Sequence, residues 1–133
     1  MKKLLALALA LLTTLSLAAA DFTQESLATE VGAMKAVLTD IDVEKARRFI
    51  TTYSHPDELE KRLESGKTVD AMAQAFVDGK KADLLIDLFG QLDVANGVVD
   101  DGQRIITCKH KDPERPEKIR FAFVNDAWFL MNR

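Results

Sequence analysis

The segment ITCKH, Ile106 to His110, places the chain's only cysteine, Cys108, two residues before His110, one of two histidines. A thiolate is a nucleophile, and an imidazole within hydrogen-bonding reach can take the thiol proton, so the pair has the composition of a cysteine-based catalytic centre. Alternate residues of a strand share a face, which puts both side chains on one side of a sheet. Zinc asks for three or four ligands at short spacing, and neither a C-x-x-C nor a second histidine stands beside this pair. The other histidine, His55, falls in SHPDE, where it caps or flanks a helix start. No glycine-rich phosphate loop, G-x-S-x-G elbow or H-E-x-x-H occurs, and no metal or cofactor is expected. The acids Asp57, Glu58, Glu60, Asp100 and Asp101 fall on what read as solvated helix faces and turns.

What the pair can do depends on the elements that hold it. Leu27, Val31, Met34, Leu38 and Ile41 recur at spacings of four and three, one stripe of a helix that Thr23 can cap. Val43, Ala46, Ile50 and Tyr53 repeat the pattern after Asp42, a second cap. Pro56 with Asp57 and Glu58 opens a short charged helix that Gly66 stops. Thr68 caps a fourth helix with Val69, Met72 and Phe76 inward and Gly79 at its end. A fifth carries Leu84, Leu85, Leu88, Phe89 and Leu92, weakened by Gly90 at a cost of about 1 kcal/mol relative to alanine.

From Val94 the hydrophobic period changes to two. Asp101-Gly102 suits a tight hairpin with positive φ at both positions, Asn125-Asp126 suits another, and KDPERP makes a longer loop between them. The expected fold is α+β, four to five N-terminal helices packed on a C-terminal four-stranded antiparallel meander.

Turning at Asn125-Asp126 sets Phe123 opposite Trp128 and Phe121 opposite Leu130, four large side chains on one face, which must be the core face. Closing the loop at 111–116 then sets Ile106 opposite Phe121, Cys108 opposite Ile119 and His110 opposite Glu117. A one-residue slip would point Thr107 and Lys109 inward. In this register Cys108 is most simply a small buried apolar residue, with His110 at the strand's rim. Glu117 is the one acid placed to orient the imidazole, and the same pair reads equally well as a rim contact of opposite charge.

The first twenty residues, MKKLLALALALLTTLSLAAA, are a basic n-region, an apolar h-region and an A-x-A site, the pattern of a secretory signal peptide. Thr13, Thr14 and Ser16 shorten the run below the about 20 apolar residues of a membrane span. Residues 1–20 are therefore expected to be removed, leaving 21–133 as a single exported domain with no stable membrane anchor. The signal carries Lys2 and Lys3, so the mature chain has 16 basic and 21 acidic residues, net −5. That balance argues against nucleic acid as a partner. One cysteine permits no intramolecular disulfide, so packing alone must hold the domain.

Helices followed by an antiparallel meander, closed by FAFVNDAWFL with Phe121 and Phe123 before the turn and Trp128 after it, resemble the nuclear transport factor 2-like superfamily. The resemblance covers most of residues 22–133. It implies a cavity between helices and curved sheet in a fold that serves isomerases, dehydratases and non-catalytic binding modules, and no catalytic residue carries over. The leading expectation is an exported periplasmic binding or accessory module holding an apolar ligand among Phe49, Tyr53, Phe76, Phe121, Phe123, Trp128 and Leu130. The alternative is a small pocket enzyme using an acid, Tyr53 or His110 for proton transfer. The outer sheet face, with Val98, Ile105, Thr107, Ala122, Val124, Phe129 and Met131 and with Lys109 and Arg120 among them, is more apolar than a solvated face should be. Sheet-to-sheet dimers occur in the superfamily, so a homodimer through that face is expected.

Overall fold

The computed structural model describes residues 20–131, and the segment expected to be a signal peptide, residues 1–20, lies outside the described residues except for Ala20. Among the described residues five helices precede a four-stranded antiparallel sheet, the α+β layout expected. Helix α1 spans Gln24–Leu38, and its stripe Leu27, Val31, Met34 and Leu38 is buried. Thr23 caps it by accepting the Ser26 N–H at 3.0 Å. Helix α2, Val43–Tyr53, is capped by Asp42, which accepts the Lys45 N–H at 2.7 Å, and buries Ala46, Phe49, Ile50 and Tyr53. Helix α3, Pro56–Glu64, carries proline in its first turn and stops before Gly66, whose φ of +95° an L side chain rarely adopts. Helix α4, Val69–Asp78, is capped by Thr68, and α5 spans Lys81–Gly90.

Leu92 does not extend α5 as the apolar spacing predicts. The helix closes at Gly90, with the Gln91 N–H returning to Leu88 O at 3.0 Å, and Leu92 opens the first strand. Glycine's poor helix propensity lets the chain leave there, and Leu92 buries itself from the sheet instead.

Strands β1 (Leu92–Asp100), β2 (Ile105–His110), β3 (Lys118–Val124) and β4 (Ala127–Met131) form a meander in chain order. Asn125 and Asp126 make a two-residue turn with φ of 50° and 61°, and Phe123↔Trp128 and Phe121↔Leu130 pair as their spacing requires. Ile106↔Phe121 and Cys108↔Ile119 follow in the same register. The first hairpin differs from expectation. Asp100 pairs with Ile105, so residues 101–104 form a four-residue loop in place of a tight Asp101-Gly102 turn. The left-handed residue is Arg104, at φ 57°, and its guanidinium stacks 4.4 Å from the centroid of Phe22 and 5.4 Å from that of Phe123. The loop is thus shaped by a cation–aromatic contact and by Asp100 accepting the Gln103 N–H at 3.1 Å.

Between Asp93↔Lys109 and Val98↔Thr107 the register shifts, and residues 94–97 of β1 bulge opposite Cys108. The principal core lies between α1, α2, α5 and the inner sheet face, with Trp128, Phe121, Leu27, Met34, Leu38, Ile106 and Cys108 enclosed. Fully burying a large apolar side chain contributes ~1.5–3 kcal/mol, so this layer dominates stability. A second cluster, Ala46, Ile50 and Ala73, joins α2 to α4.

Candidate functional site

Cys108 is fully enclosed beneath the β1 bulge, and burial, reinforced by the charge of Asp93, pushes its thiol up to about 11. A thiol so protonated is a poor nucleophile at neutral pH. His110 serves the loop instead: Nδ1 accepts the Asp112 N–H at 3.0 Å, and its backbone N–H donates to Glu117 O at 3.1 Å. The Glu117 carboxylate is gripped by Arg115, whose Nε lies 3.1 Å from both oxygens and whose Nη2 lies 2.8 Å from Oε1. That fork holds the carboxyl below the usual carboxylate range. Cys108, His110 and Glu117 therefore share a face and a register but no hydrogen bond that would make them a relay. His55 caps α3, its Nδ1 accepting the Asp57 N–H at 3.2 Å. Among the described residues no three His, Cys, Asp or Glu side chains gather to hold a metal ion, and no helix is long and apolar enough to cross a membrane.

Of the seven pocket residues expected from the sequence, Phe49, Phe76 and Leu130 line a cavity, whereas Tyr53, Phe121, Phe123 and Trp128 are packed into the core. The Tyr53 hydroxyl binds Glu30 on α1, and burial together with that carboxylate pushes it up to about 12. Trp128 stacks on Phe22 at 5.7 Å between centroids and donates Nε1–H to Ser26 Oγ at 3.1 Å.

The cavity arises from the path of the chain after α2. Ser54 forms a parallel bridge with Leu130, and the His55 N–H donates to Leu130 O at 3.2 Å, so the chain crosses the edge of β4 before Pro56 begins α3. Helix α3 buries no residue fully and stands as a lip. Helix α4 packs on α2, and α5 returns after the Gly79-Lys80 turn, where Lys80 takes φ 53°. Between α3, α4, α5 and the corner of the sheet where β3 begins and β4 ends lies an open groove of about 950 Å³. That volume is at the upper end of the 300–1,000 Å³ typical of small-molecule sites.

Its floor is apolar. Phe49 and Phe76 meet in a tilted pair with centroids 5.7 Å apart, and Leu59, Met72, Leu85 and Leu88 stand half-buried around them. Leu84, also in the wall, is 69% exposed, the largest exposure among the big apolar side chains of the described residues. The rim is cationic: Arg62, Lys67, Lys81, Lys118 and Arg120 line it, against the single acid Glu58. Arg62, Lys67, Lys81 and Lys118 make no ion pair among the described residues. Five cations against one acid invert the balance of a chain that is net negative as a whole.

These cations were not part of the sequence-derived site, because Arg62 and Arg120 are far apart in the chain and nothing local joins them. A signal did exist in α5. Five of the six residues from Leu84 to Phe89 are apolar, more than one core-facing stripe requires, and the surplus is what lines the groove. A smaller cavity of about 350 Å³ lies between α1, the end of α5 and β1, with Lys35 and Lys111 at its edge.

The outer sheet face is closed more tightly than its composition suggests. Ile105 and Ala122 are buried, Thr107, Arg120, Val124, Phe129 and Met131 are half-buried, and His55 lies edge-on to Phe129 at 6.5 Å. Val98, at 62%, and Lys109 are its exposed members.

No family model, no curated protein and no solved structure matches the chain.

Proposed function

We propose that the protein is an exported, non-catalytic binding module that holds an apolar ligand in the groove between α3, α4, α5 and the corner of the sheet. The observation that carries this reading is the groove itself, about 950 Å³ with half-buried Leu59, Met72, Phe76 and Leu88 facing it. A filled core would leave such side chains enclosed by one another; here they remain partly in water, and a ligand that covers them gains hydrophobic free energy. The helix-then-meander order supports the same reading through its resemblance to nuclear transport factor 2-like folds, which form a cavity between helices and sheet. Export rests on the n-region, h-region and A-x-A pattern of residues 1–20.

The rival reading, a pocket enzyme using Tyr53, His110 or an acid, is less well supported. The Tyr53 hydroxyl, pushed up to about 12, is poorly matched to proton transfer near neutrality, and His110 Nδ1 is occupied by Asp112 N–H.

A neutral solvatochromic dye such as Nile red tests the binding reading. Saturable, one-to-one fluorescence enhancement is expected with the mature chain, and Ala75→Trp, placed on an exposed groove-lining position of α4, should abolish it with the circular dichroism and melting curve retained. Absence of saturable enhancement, or equal enhancement in a folded Ala75→Trp, would refute it. Intact mass of periplasmic protein should begin at Asp21, and a membrane-retained chain with its first twenty residues would overturn export.

A further inference from the structure

Resting on that binding reading, we infer that the groove takes a single-chain amphiphile with an anionic head, its alkyl tail over the Phe49–Phe76 floor and its head among Arg62, Lys67, Lys81 and Lys118. Two independent features of the groove meet in this ligand. The apolar floor calls for a tail, and four cations without ion partners at its edge call for negative charge. Long basic side chains lay their methylene stems along apolar surface and keep their charged ends at the water boundary, which puts charge where an inserted tail would end. A neutral apolar ligand would leave the cations unanswered, and a cationic one would be repelled by them.

The same charges argue for a monomeric amphiphile over a lipid bilayer. A mature chain of net −5 is repelled as a body from an anionic membrane, whereas a recessed basic rim attracts one anionic head locally. The hydrophobic surface also lies within a groove behind the α3 lip, where one tail can enter and a flat membrane cannot follow.

Displacement of bound Nile red from the mature protein by tetradecanoate, tetradecanol and tetradecyltrimethylammonium, each below its micellar concentration, separates head from tail. Tetradecanoate is expected to displace dye at roughly one-tenth the concentration tetradecanol needs at low salt, a preference that shrinks as salt screens the rim, with the ammonium compound weakest. In Lys81→Gln/Lys118→Gln, both exposed positions, the preference for carboxylate over alcohol, each read against that variant's own dye affinity, should fall about threefold or more. Equal displacement by the acid and the alcohol would overturn the anionic head and leave the binding reading intact. Failure of Nile red itself to bind would overturn both. Cosedimentation with anionic phospholipid vesicles at concentrations where tetradecanoate does not displace dye would replace the monomeric amphiphile with a membrane surface.

Discussion

Gly97 lies directly over Cys108: a methyl group built on its Cα would stand 3.2 Å from Sγ and 2.6 Å from Cγ2 of the neighbouring Ile106. The β1 bulge therefore seals the thiol with bare backbone, and the Gln24 side chain donates to Gly97 O at 3.1 Å to hold that backbone down. Gly97→Ala should lower stability by about 1–3 kcal/mol, the usual cost of overpacking a filled core. Gly102→Ala is the contrast, since its nearest contact would be an exposed carboxylate oxygen at 3.5 Å. Urea denaturation of both variants checks the pair; equal midpoints would show that the seal is loose.

Cys108 should label slowly with a thiol reagent in the native state and at once after denaturation. With the thiol pushed up to about 11, the native rate should still be climbing with pH beyond pH 9. A native labelling midpoint below about 8.5 would mean that the thiol is exposed to water or paired with a cation.

Alkaline pH should destabilise the fold by way of Tyr53. Its hydroxyl holds its proton to about 12 in the folded state and loses it near 10 when unfolded, so the unfolded chain binds fewer protons in that window. The stabilisation is whole below about pH 10 and is lost as pH rises towards 12. Tyr53→Phe, which removes the titrating group along with its bond to Glu30, should flatten the fall in melting temperature above pH 10; an unchanged slope would place the alkaline loss elsewhere.

The Trp128–Ser26 hydrogen bond joins residues 102 positions apart. Trp128→Phe leaves the Ser26 hydroxyl unanswered and removes ring volume from a site that is 2% exposed, so a loss of about 3 kcal/mol is expected. Ser26→Ala alone should cost ~1 kcal/mol, and a double-mutant cycle should show coupling of ~0.5 kcal/mol or more. Strict additivity would make the contact incidental.

The α1 and α2 stripes, save Ile41, which lies beyond the end of α1 at Leu38, the caps at Thr23, Asp42 and Thr68, and the Asn125-Asp126 turn were legible because each depends on residues within a few positions of one another; α4 instead buries Ala73, with Val69, Met72 and Phe76 only half-buried. The sheet register followed from them, since Phe121, Phe123, Trp128 and Leu130 could share a face in only one pairing. Asp101-Gly102 misled because the competing interaction is distant: Arg104 is drawn onto Phe22, which lies at the other end of the chain. The bulge at residues 94–97 was equally hidden, as its reason is the volume of Cys108 and Ile106 on the next strand. At the candidate site, local pattern identified Phe49 and Phe76 as large apolar residues but could not say which aromatics fill the core and which face a groove. That partition depends on where the chain between α2 and α3 meets β4, at the Ser54–Leu130 bridge.

Phe22, just ahead of α1, stacks on Trp128 and packs at a tilt against Phe123, both from the final hairpin. The five described helices are synthesised before the strands that cover them exist, and the buried stripe of α1 has no complete partner until β4 has emerged. Contacts spanning this much of the chain make closure a late event in folding, because the intervening loop entropy must be overcome first. Until β4 is in place the helices therefore have no closed sheet to pack on, and a chain stopped short of Ala127 would lack the Trp128 ring on which Phe22 and Ser26 converge.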